Sequence, residues 1–247
     1  MLTLARIAEA PSVLTRHLES WDGARLLFRP LARTDAESLA GFLAGLSSET
    51  RRFSTFDGYD LAAARELCAA IARYDKLRLV LEEEASARIV GLLEFSLALT
   101  QGDVERYRQA GIHLNEETDC RFGLTLSDDQ QSKGLATLVF PLICEVAWRL
   151  GKRRIILWGG VLADNPRAIR FYEKNGFQRV GPFTGPDGRT SLDMILDIVP
   201  PPRARHRALA DGPPGEVLPD RLPAPDSGNR MWAARQQRVS RPEAERP

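Results

Sequence analysis

The chain has 247 residues, 43% of them hydrophobic and 27% charged, with a formal net charge of +1. Those proportions fit a soluble globular protein with one large domain, or one medium domain with extensions. So small a net charge supplies no global field that would draw nucleic acid, a membrane or acidic substrates.

The cysteines, Cys68, Cys120 and Cys144, are widely spaced and odd in number, which fits reduced thiols better than a disulfide framework or a zinc site. No apolar run approaches the roughly 18 residues needed to cross a bilayer. Residues 1–10 make a poor secretion signal, so the expected location is cytoplasmic. Residues 1–20 read as an N-terminal extension, a small helix or an arm. Residues 21–199 carry the periodic patterns of a folded domain. Residues 200–247 hold ten of the sixteen prolines and nine arginines with almost no apolar period, and read as a disordered tail.

Within the domain, residues 25–29 form an expected strand closed by Pro30, and Thr34 and Asp35 are candidate caps of a helix over 36–46. Asp60 is a candidate cap for a helix over 61–74. Strands at 77–83 and 88–99 read as an antiparallel hairpin around a polar turn. Residues 100–117 are irregular and polar, a long loop or a short helix near 104–109. A strand at 119–126 leads into a helix over 133–150 with Pro141 inside it and Gly151 at its end. A nearly all-apolar strand at 154–159, a helix at 166–175, a strand at 177–180, a turn at 185–188 and a last strand at 191–198 complete the order.

Two motifs carry chemistry. The first, Gln131-Ser132-Lys133-Gly134-Leu135-Ala136, joins the strand at 119–126 to a helix start. The first turn of a helix has backbone N–H groups without partners and the positive end of the peptide dipoles, so it can hold a phosphate. Gly134 lets an anion approach the backbone and Ala136 keeps the next position small. The second motif is Asn165-Pro166 through Ala168, Tyr172, Gly176 and Phe177. Asn165 suits an N-cap, Pro166 the first helical position and Gly176 the position after the helix. Asn165 and Tyr172 are two turns apart, so a flat, small face ends in a phenol.

In this order, separated by one apolar strand, the two motifs resemble the GCN5-related N-acetyltransferase (GNAT) family over residues 25–198. The resemblance implies a mixed α/β fold, with a mostly antiparallel central sheet flanked by helices and central strands splayed to form an acetyl-CoA cleft. It implies acetyl-CoA as cosubstrate, no metal, and transfer of the acetyl group to a primary amine by direct attack. The pyrophosphate is then expected on Gln131, Ser132, Lys133, Gly134, Leu135 and Ala136, and the pantetheine arm along Leu124, Thr125 and Leu126. Asn165, Ala168 and Tyr172 are expected to flank the thioester. A homodimer is common in this architecture.

Tyr172 is the candidate general acid, because a phenol can protonate a leaving thiolate. The general base stays open. Glu94 is the candidate charged residue of an apolar strand, with an outward-facing role as the plain alternative. Asp119, His113 and a relay of waters are further options. Arg51 and Arg52 either draw an acidic substrate or cap the helix over 36–46. The competing function is a catalytically idle acyl-CoA-binding sensor or interaction module; membrane partners are not expected, and nucleic acid is expected only if the tail recruits it.

Overall fold

The computed structural model describes residues 1–69, 75–185 and 187–199. The tail over 200–247, residues 70–74 of the expected helix and Pro186 of the expected turn lie outside the described residues. In chain order the elements are α1 (Leu4–Glu9), β1 (Arg16–Glu19), β2 (Arg25–Pro30), α2 (Ala36–Gly45), α3 (Ser48–Phe53), α4 (Leu61–Ala69), β3 (Lys76–Glu83) and β4 (Arg88–Ser96). They continue with α5 (Gln101–Gln109), β5 (Asp119–Leu126), α6 (Leu135–Arg149), β6 (Arg154–Leu157), β7 (Val161–Leu162), α7 (Pro166–Lys174), β8 (Gln178–Thr184) and β9 (Thr190–Asp197).

The strands form one sheet in the order β1-β2-β3-β4-β5-β6-β9-β7, with β8 paired to β9. Every described pairing is antiparallel except β5 with β6. Both faces are covered, which is why β4 is buried at every residue after Arg88. On one face, Leu79, Leu81, Leu93 and Phe122 pack with Ile7 of α1, Val139 and Ile143 of α6 and Ile169 of α7. On the other, Val80 and Leu92 meet Leu39 and Leu43 of α2 and Cys68 of α4. Tyr107 of α5 extends this second layer over Ile156 and Ile195.

Two expectations need correction. Residues 1–20 are not set apart from the domain: Ile7 and Leu14 are buried in the main core and β1 pairs with β2 along its length. Asp35 does not cap α2 with its side chain. Its carboxylate instead takes a two-pronged pair from Arg29 (2.7 and 2.9 Å) and the amide of Ala32, because a fixed guanidinium offers a charged fork. Of the two forms expected for the stretch 100–117, the structure shows the short helix, α5, opened by a reciprocal Thr100–Asp103 capping box. Asp60 does cap α4, accepting from the Ala63 amide at 2.9 Å, and α6 runs uninterrupted through Pro141.

Candidate active site

The cleft begins where β5 and β6 part. Their parallel ladder runs from Asp119 opposite Arg154 to Phe122 opposite Leu157, and one further bond, Trp158 N–H to Phe122 O at 2.8 Å, closes it. Beyond that point residues 123–126 pair only with β4, from Gly123 opposite Glu94 to Leu126 opposite Gly91. One backbone edge of β5 is therefore left without a strand partner. It opens on a cleft of about 1040 Å³ lined by Leu124, Thr125 and Leu126.

At the end of that edge the chain enters the expected anion loop, and four consecutive side chains peg it in place. Asp128 accepts from Ser47 N (2.9 Å), Ser47 Oγ (2.5 Å) and Thr50 Oγ1 (2.7 Å) at the start of α3. Burial pushes the Asp128 carboxyl up, but these donors outweigh it and hold it below its usual value. Asp129 accepts from Arg88 at 2.7 Å, and Gln130 donates to Glu83 at 3.1 Å. Gln131 spends its side-chain amide on Thr50 Oγ1 (2.9 Å) and Leu126 O (3.1 Å), so within the cleft it acts as a clasp.

Past those pegs the backbone turns left-handed twice, at Ser132 (φ 61°) and at Gly134 (φ 81°). Among the described residues, no acceptor takes the amides of Ser132, Lys133, Gly134, Leu135, Ala136 or Thr137; the first bonded amide is Leu138, which donates to Gly134 O at 3.0 Å. Six adjacent free donors at the positive end of a 15-residue helix make a cradle for a polyanion. All of these residues but Lys133 line the cleft. Lys133 is exposed and is not among the residues that line the cleft. A Cβ on Gly134 would fall 2.8 Å from Trp21 Cδ1, so the β1–β2 turn packs against the back of the loop.

The opposite wall is α7. Asn165 Oδ1 accepts from the Ala168 amide at 3.0 Å, with Pro166 in the first turn. Tyr172, two turns on, is 8% exposed and packs edge-on against Phe171 and Phe177. Burial raises its phenol pKa above the ordinary range, and no hydrogen bond or charge opposes that shift. Asn165, Ala168 and Tyr172 all line the cleft.

The acid–base candidates fall in different places. Glu94 is buried, faces the cleft and accepts from Arg78 Nε at 2.7 Å on Oε1. Its Oε2 has no partner among the described residues. Asp119 is fully buried in a two-pronged pair with Arg154 (2.6 and 2.8 Å), away from the cleft lining. His113 also lies outside the lining; its carbonyl accepts from Arg154. The arginine pair divides its roles. Arg51 donates to Ala44 O at 2.7 Å and so caps α2, whereas Arg52 lines the cleft and pairs with Asp164.

The sequence reading missed a charged cluster beside Glu94. Asp103, Arg106, Arg121 and Trp158 line the cleft, with Asp193 behind them. Arg106 binds Asp103 (2.8 Å) and Asp193 (2.7 Å) and lies over the Phe183 ring at 4.0 Å. Burial raises the Asp193 pKa despite that partner. Thr100-x-x-Asp103 was the available signal, since that spacing writes a capping box; nothing local marks Arg121.

A family model described as an acetyltransferase (GNAT) domain matches residues 25–178. Acetyltransferase PA5475 of Pseudomonas aeruginosa is 30% identical over 134 residues, which span 54% of this chain and 66% of that relative, just short of two thirds of it. A ribosomal-protein-S5-alanine acetyltransferase from Vibrio fischeri shares the fold with a TM-score of 0.58 at 12% identity, over 74% of this chain and 96% of that one. An aminoglycoside acetyltransferase, AAC(6')-Ib, solved with coenzyme A and kanamycin, aligns with a TM-score of 0.53 at 22% identity, over 70% and 94% of the two chains.

Proposed function

Because the chain belongs to the GNAT acetyltransferase family, we propose that it moves an acetyl group from acetyl-CoA to a primary amine by direct attack. The observation that carries this reading is the row of six free amides from Ser132 to Thr137, set beside the unpaired edge of β5. A diphosphate needs several convergent donors, and this row of amides at a helix start supplies them.

Acetyl-CoA, when bound, supplies the thioester carbonyl that the amine attacks. The protein's own residues do the rest. The amides of Ser132, Gly134, Leu135 and Ala136 hold the pyrophosphate, pegged by Asp128 and Asp129 so that they need no rearrangement to bind. The peptide groups of Leu124, Thr125 and Leu126 take the pantetheine arm as an added strand would be taken. Tyr172 keeps its proton on Oη until the leaving thiolate accepts it; its burial favours that protonated form. Glu94 receives the amine's proton on Oε2, while Arg78 fixes the carboxylate through Oε1.

The test is calorimetric titration of the full chain with acetyl-CoA, followed by measurement of free thiol against a panel of amines. Binding together with acceptor-dependent thiol release is expected; no binding overturns the reading. A second reading, an acyl-CoA sensor without turnover, draws on one observation: Glu94 is already held in a buried ion pair with Arg78. Binding without thiol release across the panel would favour it.

A further inference from the structure

Among the described residues, Arg121 is a cation without a hydrogen bond from its side chain. Its side chain is 13% exposed, and its guanidinium lies 4.8 Å from the Trp158 ring centroid. Nε makes an ion pair with Asp103 Oδ2 at 3.0 Å, but no hydrogen bond is formed, and among the described residues the buried Nε has no hydrogen-bond partner. Asp103 has little left to give. It accepts from Thr100 N (3.1 Å), Thr100 Oγ1 (2.6 Å) and Arg106 Nη2 (2.8 Å). The neighbouring arginines are differently placed, Arg106 bonded to Asp103 and Asp193 and Arg78 to Glu94. A half-buried guanidinium whose Nε is cut off from water and makes no hydrogen bond is served by its ion pair and the Trp158 ring, yet its fork still offers donors that a ligand's acceptors would take.

The sheet register puts Arg121 next to the expected base. Glu94 sits opposite Gly123 and Ser96 opposite Arg121, so Glu94 and Arg121 are diagonal neighbours on one face. Such neighbours stand about 7–8 Å apart on the backbone. Both line the cleft. The local charge is balanced: Arg78, Arg106 and Arg121 face Glu94, Asp103 and Asp193.

We infer that the acceptor is a small amino acid whose amine is directed to Glu94 and whose carboxylate is received by Arg121. The planar fork of an arginine matches a carboxylate with two parallel N–H bonds, and a short carbon chain spans the gap to the base. Arg121 is thus a specificity-determining residue that discriminates among amines, and the inference rests on the acetyl-transfer reading.

The test uses the full chain saturated with CoA. Glycine, β-alanine and γ-aminobutyrate, and the methyl ester of each, are titrated by calorimetry. At least one free acid should bind about tenfold or more tighter than its ester, the expected worth of a charge-assisted pair. Arg121→Gln should erase that preference, Arg121→Lys should restore part of it, and CoA affinity should be unchanged in both. Equal affinity for acids and esters in the unaltered chain overturns the inference whether or not the variants fold. So does binding of a peptide with an acidic second residue where no amino acid binds. Failure of the unaltered chain to bind CoA at all strikes the acetyl-transfer reading itself.

Discussion

A phenol in water gives up its proton near pH 10, and burial moves that point upward because the phenolate loses its hydration. Tyr172 sits among Phe140, Phe171 and Phe177 with no hydrogen-bond partner among the described residues, so its proton is held through the physiological range. Tyr172→Phe should therefore lower kcat by about a hundredfold, in the range of general acid catalysis. Acetyl-CoA affinity and melting temperature should stay near their original values, because the ring packing is kept and the lost hydroxyl makes no hydrogen bond among the described residues. Steady-state thiol release and thermal unfolding read the two halves; unchanged kcat removes Tyr172 from the acid role. Gly134 is bound by a different constraint. Its φ of 81° costs an L-residue about 1–2 kcal/mol, and a Cβ there would strike the Trp21 indole at 2.8 Å. Gly134→Ala should weaken acetyl-CoA binding and lower the melting temperature. Trp21 is 62% exposed, and adding Trp21→Ala should relieve the steric part and leave the backbone part. Calorimetry on the single and double variants separates them.

The loop between β5 and α6 depends on a strap from the β3–β4 hairpin. Arg88 bonds Glu83 (2.9 Å) and Asp129 (2.7 Å) together, and its hydrogen bonds hold Asp129 down to about 2 and Glu83 below its usual value. Because both folded values are depressed, the strap contributes above the unfolded carboxylate range, near pH 4, and is lost as pH falls toward 2. Arg88→Gln should lower the melting temperature at pH 7 and make a smaller difference at pH 2.5, where part of the strap is already lost, as melting curves at the two pH values would show. A constant gap between variant and original chain at both pH values would contradict the strap. Much of this region is legible in sequence. The strand–loop–helix around Gly134 and the capped helix from Asn165 to Tyr172 are written in local spacing, and the structure places both on the cleft. The strap is not legible, because Arg88 and Asp129 are 41 residues apart and Asp128 and Ser47 are 81 apart. Neither is α3, a six-residue helix without apolar period, held by its Ser47 cap and by Asp128 from a distant loop. Arg121 escaped for the same reason: its meaning lies in Trp158, Asp103 and Glu94, which only the sheet register brings to it.

At the scale of the whole molecule, the sheet is completed by residues that look expendable in the sequence. Two buried aliphatics, Ile7 and Leu14, are too few to make a visible period in twenty residues, yet each is almost fully enclosed by the main core. The segment is also tied by hydrogen bonds: Leu2 N–H to Arg149 O at 2.7 Å, Arg149 Nη1 to Val13 O at 2.8 Å, and the ladder of β1 on β2. Removing residues 1–20 should bare the edge of β2 and open the core beneath α1. Loss of two enclosed aliphatic side chains at about 2–5 kcal/mol each puts the cost near 4 kcal/mol or more, a large part of a typical domain's stability. Ile7→Ala alone should account for roughly half of that loss, about 2 kcal/mol or more, by chemical denaturation. The truncation should also weaken acetyl-CoA binding beyond what Ile7→Ala does, because the β1–β2 turn carries Trp21 onto the back of the Gly134 loop. A truncated chain that melts with the original and binds acetyl-CoA equally well would show that the amino-terminal segment leans on the fold without supporting it.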